Sequence, residues 1–383
     1  MRHYLDHAAS APLRREARAA FERAASVVGN PTSLHASGRR AHAALEDARE
    51  ELADAVGADP VEVVWTSGGT ESDNLVVLGG ARWGRDHGRP RVAASTVEHP
   101  AVAEAVRSLG ERAAWLEVDG DGVVTSDALD ALAGGGGDVA WASLMWVNNE
   151  TGAVQPVVEF VEACRRAGVR AHSDGVQALG HLAVDFAASG LDALSLSAHK
   201  VGGPVGVGAL VVRRDAPLVP VSWGGGQERR LRSGTPPVAL AAAFAAAATA
   251  AVAEREGEAA RLGRLRDRLV AGLSVLGGVR VNGPDTVSPA ICHVTTDGCR
   301  ADDVLLLLDA AGIDCSTGSA CTAGVHQPSR VLLAMGRPEA DAVGSLRFSF
   351  GPTTDDTSID ALLAALPEAV VRARAAAAYN RAS

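Results

Sequence analysis

The feature that most narrows what this chain can become is an alternation. Short runs of apolar and β-branched residues, each ending on or just before a polar side chain, are separated by stretches with helical spacing. Residues 61–65 (Val-Glu-Val-Val-Trp), 91–95, 138–147, 168–174 and 191–197 supply the runs. Before and between them lie helical stretches, among them 38–56, where Ala41, Ala44, Leu45, Ala48, Leu52 and Val56 recur every three to four residues. Further helices are expected from Asp73, from Pro100 and from Val157 to Ala167. Strands joined through helices predict an α/β fold: a mostly parallel sheet covered on both faces. Ligands of such a sheet lie beyond the carboxyl ends of its strands. Thr70, His99, Asn149, Asp174 and Lys200 all fall just past expected strand ends, so one edge gathers the polar residues.

Two of these positions carry local chemistry. Lys200 stands in Ser195-Leu-Ser-Ala-His-Lys200-Val-Gly-Gly-Pro-Val-Gly-Val-Gly208, where a strand gives way to a glycine-rich loop that passes close to something. A lysine amine becomes nucleophilic when burial or a neighbouring cation lowers its pKa, and it then forms Schiff bases with aldehydes. Ser197 and His199 add donors beside it that suit a phosphate. On this stretch alone a surface lysine in a turn remains an alternative. Thr66-Ser-Gly-Gly-Thr-Glu-Ser72 places paired glycines at a strand-to-helix turn, where Gly69 and Thr70 would meet an anion at the helix's free amides. A tight turn with an ordinary cap reads the same way.

Composition excludes several classes. With 383 residues, 47% of them hydrophobic and 21% charged, the chain is long enough for two sizeable cores and has no low-complexity tract. The net charge of −10 and the absence of basic runs interleaved with aromatics argue against a nucleic-acid surface. Five cysteines, none spaced Cys-x-x-Cys, support neither a disulfide framework nor a zinc ribbon. No metal is expected, and a reducing cytoplasm fits best. The first ten residues lack an apolar segment, so no signal peptide is expected. Residues 236–253 are uncharged and alanine-rich, and are expected to form a buried helix rather than a membrane span, because alanine is weakly apolar and the best helix former.

Five motifs occur together in a characteristic order: Asn148-Asn-Glu-Thr-Gly152, Ser173-Asp-Gly-Val-Gln177, Ser197-Ala-His-Lys200, Arg232-Ser-Gly-Thr235 and Ser316-Thr-Gly-Ser-Ala-Cys-Thr-Ala-Gly324. In order and spacing they resemble the pyridoxal-phosphate-dependent cysteine desulfurases, in the branch serving nitrogen fixation and iron–sulfur cluster assembly. The match runs from Tyr4-Leu-Asp-His-Ala-Ala9 to Ser345-Leu-Arg-Phe-Ser349.

The resemblance implies fold-type-I architecture. A large cofactor domain would span residues 15–256, and a smaller α+β domain would combine 1–14 with 257–383. It also implies roles. Lys200 would hold pyridoxal 5'-phosphate as a Schiff base, and Asp174 would keep the ring nitrogen protonated so that the ring draws electrons. Gln177 would donate to the ring's phenolic oxygen, while His99 would stack on the ring and shuttle protons. Gly69, Thr70, Ser197 and His199 would bind the phosphate, and Asn149 would touch cofactor and substrate. Arg347 would clamp the carboxylate of L-cysteine. Thr235 would reach the cofactor of a partner subunit, which implies a homodimer. Cys321, among small polar neighbours, would take the substrate's sulfur as a persulfide and leave L-alanine. Cys164, Cys292, Cys299 and Cys315 read as core fillers. A sulfur acceptor, either a cluster scaffold or a sulfurtransferase, is the expected partner.

Some departures and alternatives belong beside this reading. Gly202 and Val205 stand where the family often carries an aromatic and a second lysine, and Pro100 stands where a lysine is frequent. An aminotransferase or selenocysteine lyase of the same fold is one alternative, and a catalytically idle assembly scaffold is another.

Overall fold

The computed structural model describes residues 2–317 and 328–382, with side chains through residue 377. Its strands, in chain order, are β1 (His3–Tyr4), β2 (Val63–Thr66), β3 (Arg91–Ser95), β4 (Ala113–Leu116), β5 (Val139–Ser143), β6 (Arg170–Asp174) and β7 (Ala193–Ser197). They continue with β8 (Gly208–Val212), β9 (Val279–Asn282), β10 (Ile291–Thr296), β11 (Ile313–Asp314), β12 (Ser316–Thr317) and β13 (Ser345–Ser349).

Strands β2 to β8 form one seven-stranded sheet in the order β2-β8-β7-β6-β5-β3-β4. The run from β7 through β6, β5 and β3 to β4 is parallel throughout, and this brings the carboxyl ends of those strands to one edge. β8 runs antiparallel to both β7 and β2. The connection from Ser197 to Gly208 contains only a 3-10 turn over Ala198–Lys200, too little chain for a helical crossover, so β8 returns antiparallel. Alternate residues feed two cores: Val63, Trp65, Ala209 and Val211 enter one, and Val64, Leu210 and Val212 enter the other. A sheet covered on both faces favours apolar strands, which is why β2 and β8 show no polar alternation.

The helix Ala36–Val56 begins two residues before its expected start and ends on Gly57, whose φ of 64° is left-handed and suits glycine. It packs against the helix Val238–Leu273. The helix expected over residues 236–253 is there part of one continuous helix of 36 residues. By length and composition this helix is apolar enough to cross a membrane. In the fold, Ala241, Ala243, Phe244, Ala245, Ala247, Ala248 and Ala251 are instead buried in the core against the large sheet. Leu262, Leu265, Leu269 and Leu273 are buried in a separate core with Leu5, Phe348, Ile359 and Leu362. The charged residues 254–261 are the span between the two.

That second core sits on an antiparallel sheet of order β12-β13-β10-β9, with the helices Ala301–Ala310 and Asp356–Ala382 against it. β1 pairs in parallel with β11, and Leu5 is buried in the same core. Residues 6–11 then cross to the edge of the large sheet, where the Ala11 amide donates to the His199 carbonyl at 2.8 Å.

Candidate active site

The carboxyl edge of the parallel strands opens into a cavity of about 410 Å³. Each wall has a simple origin. β6 ends in Asp174, and the turn after it presents Gln177; β7 ends in Ser197 and leads to His199 and Lys200; the loop after β3 carries His99. The loop after β5 carries Asn149, the helix Gly69–Asp86 contributes Gly69 and Thr70, and β13 sends in Arg347 from the second sheet. All of these expected site residues line the cavity together.

Lysine 200 is held from the amino-terminal segment. Its Nζ donates to the carbonyl oxygens of Ala8 at 2.6 Å and Ala9 at 3.0 Å, and Gln177 Nε2 donates to the same Ala8 oxygen at 2.9 Å. Burial, followed by the charge of Arg347, lowers the Lys200 pKa to about 8. A substantial neutral fraction is therefore available near neutrality, as a nucleophilic amine requires.

Asp174 is buried, and its Oδ1 accepts the Val176 amide at 2.9 Å. Burial raises its pKa, while His99 and Lys200 pull the other way. His99 caps the helix Pro100–Arg107, with Nδ1 accepting the Ala101 amide at 3.1 Å. The proton of its neutral ring is thus on Nε2, and burial lowers its pKa. Arg347 is fixed by Nη1 donating to the Asn149 carbonyl at 2.7 Å and Nη2 to Asp6 Oδ1 at 2.9 Å. Its Nε is buried without a partner, so the guanidinium keeps donor capacity for a carboxylate. Burial brings His199 down to about 4, which leaves it a neutral donor or acceptor.

Two expected residues do not join this group. Thr235 is exposed and lies outside the cavity. Cys321 lies outside the described residues, although Ser316 and Thr317, just before that stretch, line the cavity. Cys164, Cys292 and Cys299 are buried and Cys315 is half-buried. Burial pushes Cys292 and Cys315 up to about 12, and raises Cys164 and Cys299 as well.

The sequence reading assigned no role to four acids of this region. Asp73 and Glu150 line the cavity, Glu98 is buried beside His99, and Asp6 pairs with Arg347. Burial lifts Glu98 and Glu150 to about 7. Each acid sits within or beside a motif, but nothing in the sequence marks it as buried.

These residues fit a flat, anionic aldehyde. The helix Gly69–Asp86 has no side-chain cap at Gly68, so its first amides are open to an anion. A Cβ on Gly69 would stand 2.7 Å from Val176 Cγ2, so the backbone comes close only because that residue is glycine. Thr70, Ser197 and His199 lie around this end, and the acid Asp174 and the amine Lys200 lie further in.

Comparison with known proteins agrees in kind. The model of the aminotransferase class-V family matches residues 3–362. An IscS-like cysteine desulfurase of Mycobacterium tuberculosis (strain ATCC 25618 / H37Rv) is 50% identical, with 98% of each chain covered. A cysteine desulfurase IscS of Methanosarcina thermophila is 38% identical over 97% of this chain and 92% of its own. Among solved structures, a NifS-like protein superposes with a TM-score of 0.88 at 31% identity, covering 97% of this chain and all 100% of that one. DndA from Streptomyces lividans gives 0.76 at 38% identity, covering 89% and 97%. The architecture is accordingly fold type I, and the chain belongs to the class-V aminotransferase family and, within it, to the cysteine desulfurases.

Proposed function

We propose that this enzyme converts L-cysteine to L-alanine at the described cavity, with pyridoxal 5'-phosphate as cofactor and Cys321 as sulfur acceptor. The observation that carries the reading is the enclosed grouping of Lys200, Asp174, His99 and Arg347, with the Lys200 amine brought down to about 8. Bound pyridoxal phosphate supplies an aldehyde for amines and a ring that withdraws electrons from the bonds around the substrate's Cα. Lys200 would hold it covalently, Thr70, Ser197 and His199 would bind its phosphate with the helix amides, and Asp174 would keep a proton on its ring nitrogen. Gln177 would donate to its phenolic oxygen. His99, neutral and with its proton on Nε2, would stand as the wall that passes protons.

Arg347 would receive the substrate carboxylate, held in place by the Asn149 carbonyl and Asp6. The Cys321 thiolate would attack the substrate sulfur; the Cβ–S bond breaks, the S–S bond of a persulfide forms, and Cβ takes a proton to give alanine. The described cysteines support this choice, because burial holds all four as thiols. Sulfur would pass to an acceptor protein for iron–sulfur assembly or related delivery in the cytoplasm. A homodimer in which Thr235 reaches a partner is supported by its exposed position. A domain boundary near residue 256 is supported by the way the long helix divides its buried residues between two cores.

The test is Cys321→Ser in the cofactor-loaded enzyme. Cysteine should still shift the cofactor's absorbance, because binding needs Lys200 and Arg347, but alanine and added sulfur mass on the protein should be lost. Continued alanine formation, or a persulfide on Cys315, would overturn the assignment.

A further inference from the structure

Asp73 lies one turn into the helix Gly69–Asp86, is 1% exposed and borders the cavity. A carboxylate oxygen of Asp73, one of Asp174 and a ring nitrogen of His99 all lie within 4.8 Å of one another. Asp73 Oδ1 is buried with no hydrogen-bond partner. Its other close neighbour is His172 on β6, with Nε2 at 3.7 Å. That ring is already engaged, with Nδ1 on the Ser143 hydroxyl and Nε2 on the Ser195 hydroxyl, each at 2.9 Å. Burial also brings His172 down to about 3, so it is a neutral ring and no counter-charge. Glu98, from the loop after β3, completes the surroundings: its Oε1 accepts the Ser95 hydroxyl at 2.7 Å and the Met145 amide at 2.8 Å, and its Oε2 has no partner.

Two buried aspartates with oxygens within 4.8 Å of each other disfavour a second negative charge, because adjacent like charges in a low-dielectric site repel strongly. The surroundings decide where the proton sits. Asp174 accepts the Val176 amide and is drawn towards its charged form by Lys200. Asp73 is raised by burial and then by Asp174, and Glu98 adds to the push. The one stabilising contact on its side is the Ser195 hydroxyl.

We infer that Asp73 is a positioning residue that works as a neutral carboxylic acid, holding the proton of the Asp73–Asp174 pair and so confining the pair's single negative charge to Asp174. This deepens the proposed function and rests on it, since Asp174 is the group assigned to the cofactor's ring nitrogen. With Asp73 neutral, Asp174 would meet that nitrogen as the pair's one carboxylate. With Asp73 ionised, Asp174 would be the stronger base and would compete for the proton that the ring nitrogen needs. The groups that set the balance are Asp174 and His172 on β6, Glu98 and His99 after β3, and the cations Lys200 and Arg347 across the cavity.

The test begins with cofactor-free protein, so that it stands apart from turnover. Infrared difference spectra of wild type against Asp73→Asn at neutral pH should show the carbonyl stretch of one protonated carboxylic acid, lost in the variant. Wild type labelled with carboxyl-¹³C aspartate should shift that same band, a measurement that needs no variant to fold. In the loaded enzyme, Asp73→Asn, whose amide is also neutral, should flatten the alkaline limb of the cofactor's absorbance titration. Absence of a protonated aspartate band overturns the inference, as does an unaltered alkaline limb in a variant with wild-type melting. Cofactor uptake by the wild type, read in the visible, tests the parent reading separately.

Discussion

Replacing Lys200 with methionine should stabilise the cofactor-free protein at neutral pH and destabilise it in alkali. The lysine pKa falls from 10.5 to about 8, chiefly through burial and then through Arg347. A lysine whose folded value is lowered carries a penalty that is complete below the folded value, shrinks as pH rises between the two values, and is gone above the unfolded one. From those two values the penalty is about 3 kcal/mol at pH 7 and about 1.4 kcal/mol at pH 9.5. Methionine removes the penalty but also the two hydrogen bonds to Ala8 and Ala9, at roughly 1 kcal/mol each. The net change is a gain of about 1 kcal/mol at pH 7 and a loss of about 0.6 kcal/mol at pH 9.5. Packing differences shift both numbers alike, so the swing of about 2 kcal/mol between the two pH values is the sharper quantity. Urea denaturation of cofactor-free wild type and Lys200→Met at the two pH values measures it. Equal differences at both values, or a gain that grows with pH, would show that the Lys200 amine is not depressed by its site.

Two other perturbations follow from geometry. Glu228→Gln removes the carboxylate that receives Arg49 Nη1 and Nη2 at 3.0 and 2.9 Å and the Trp65 amide at 2.8 Å. It leaves a buried guanidinium with only the half-exposed Glu46 as counter-charge, so urea denaturation should show a loss of about 3 kcal/mol, and a loss below about 1 kcal/mol would refute the buried pair as an anchor of the segment around Glu228. Asp174→Asn should keep the cofactor bound, read by its visible absorbance, while alanine production falls by orders of magnitude; near-wild-type turnover would mean that another acid supports the ring nitrogen.

Much of the fold was legible because its physics is local. Residues 191–197 read as a strand from their apolar run, and the requirement that a parallel strand end at the ligand edge placed Lys200 beside Asp174 and His99 before any coordinates. Other features have no local signature. The reversed direction of β8 depends on the span from Ser197 to Gly208 being too short for a helix, and strand composition does not encode direction. The extent of the helix Val238–Leu273 has no local mark, because residues 254–261 are charged and a helix surface between two cores carries charge as readily as a loop does. The hold on Lys200 comes from the carbonyls of Ala8 and Ala9, backbone groups that every residue carries. Asp73 and Glu98 were invisible because an acid in a sequence looks solvated until its neighbours close over it.

Those buried acids bear on how an acidic protein would hold the anionic cofactor proposed for it. The chain carries a net charge of −10, so its far field repels phosphate, and attraction has to be local. In the cavity the formal charges of Lys200 and Arg347 are met by Asp174 and by Asp6, which pairs with Arg347. Asp73, Glu98 and Glu150 would add three negative charges if ionised, and no described cation is left within the cavity to offset them. Burial raises all three, to about 7 for Glu98 and Glu150, and a raised acid is neutral below its folded value and charged above it. On the acid side of neutrality the cavity is therefore balanced, and the open amides at Gly69 and Thr70 tip it towards anions. As the pH climbs past neutrality the same side chains turn the cavity negative. The burial that shapes the pocket thus also makes its affinity for anions a function of protons, through residues that need not touch the anion.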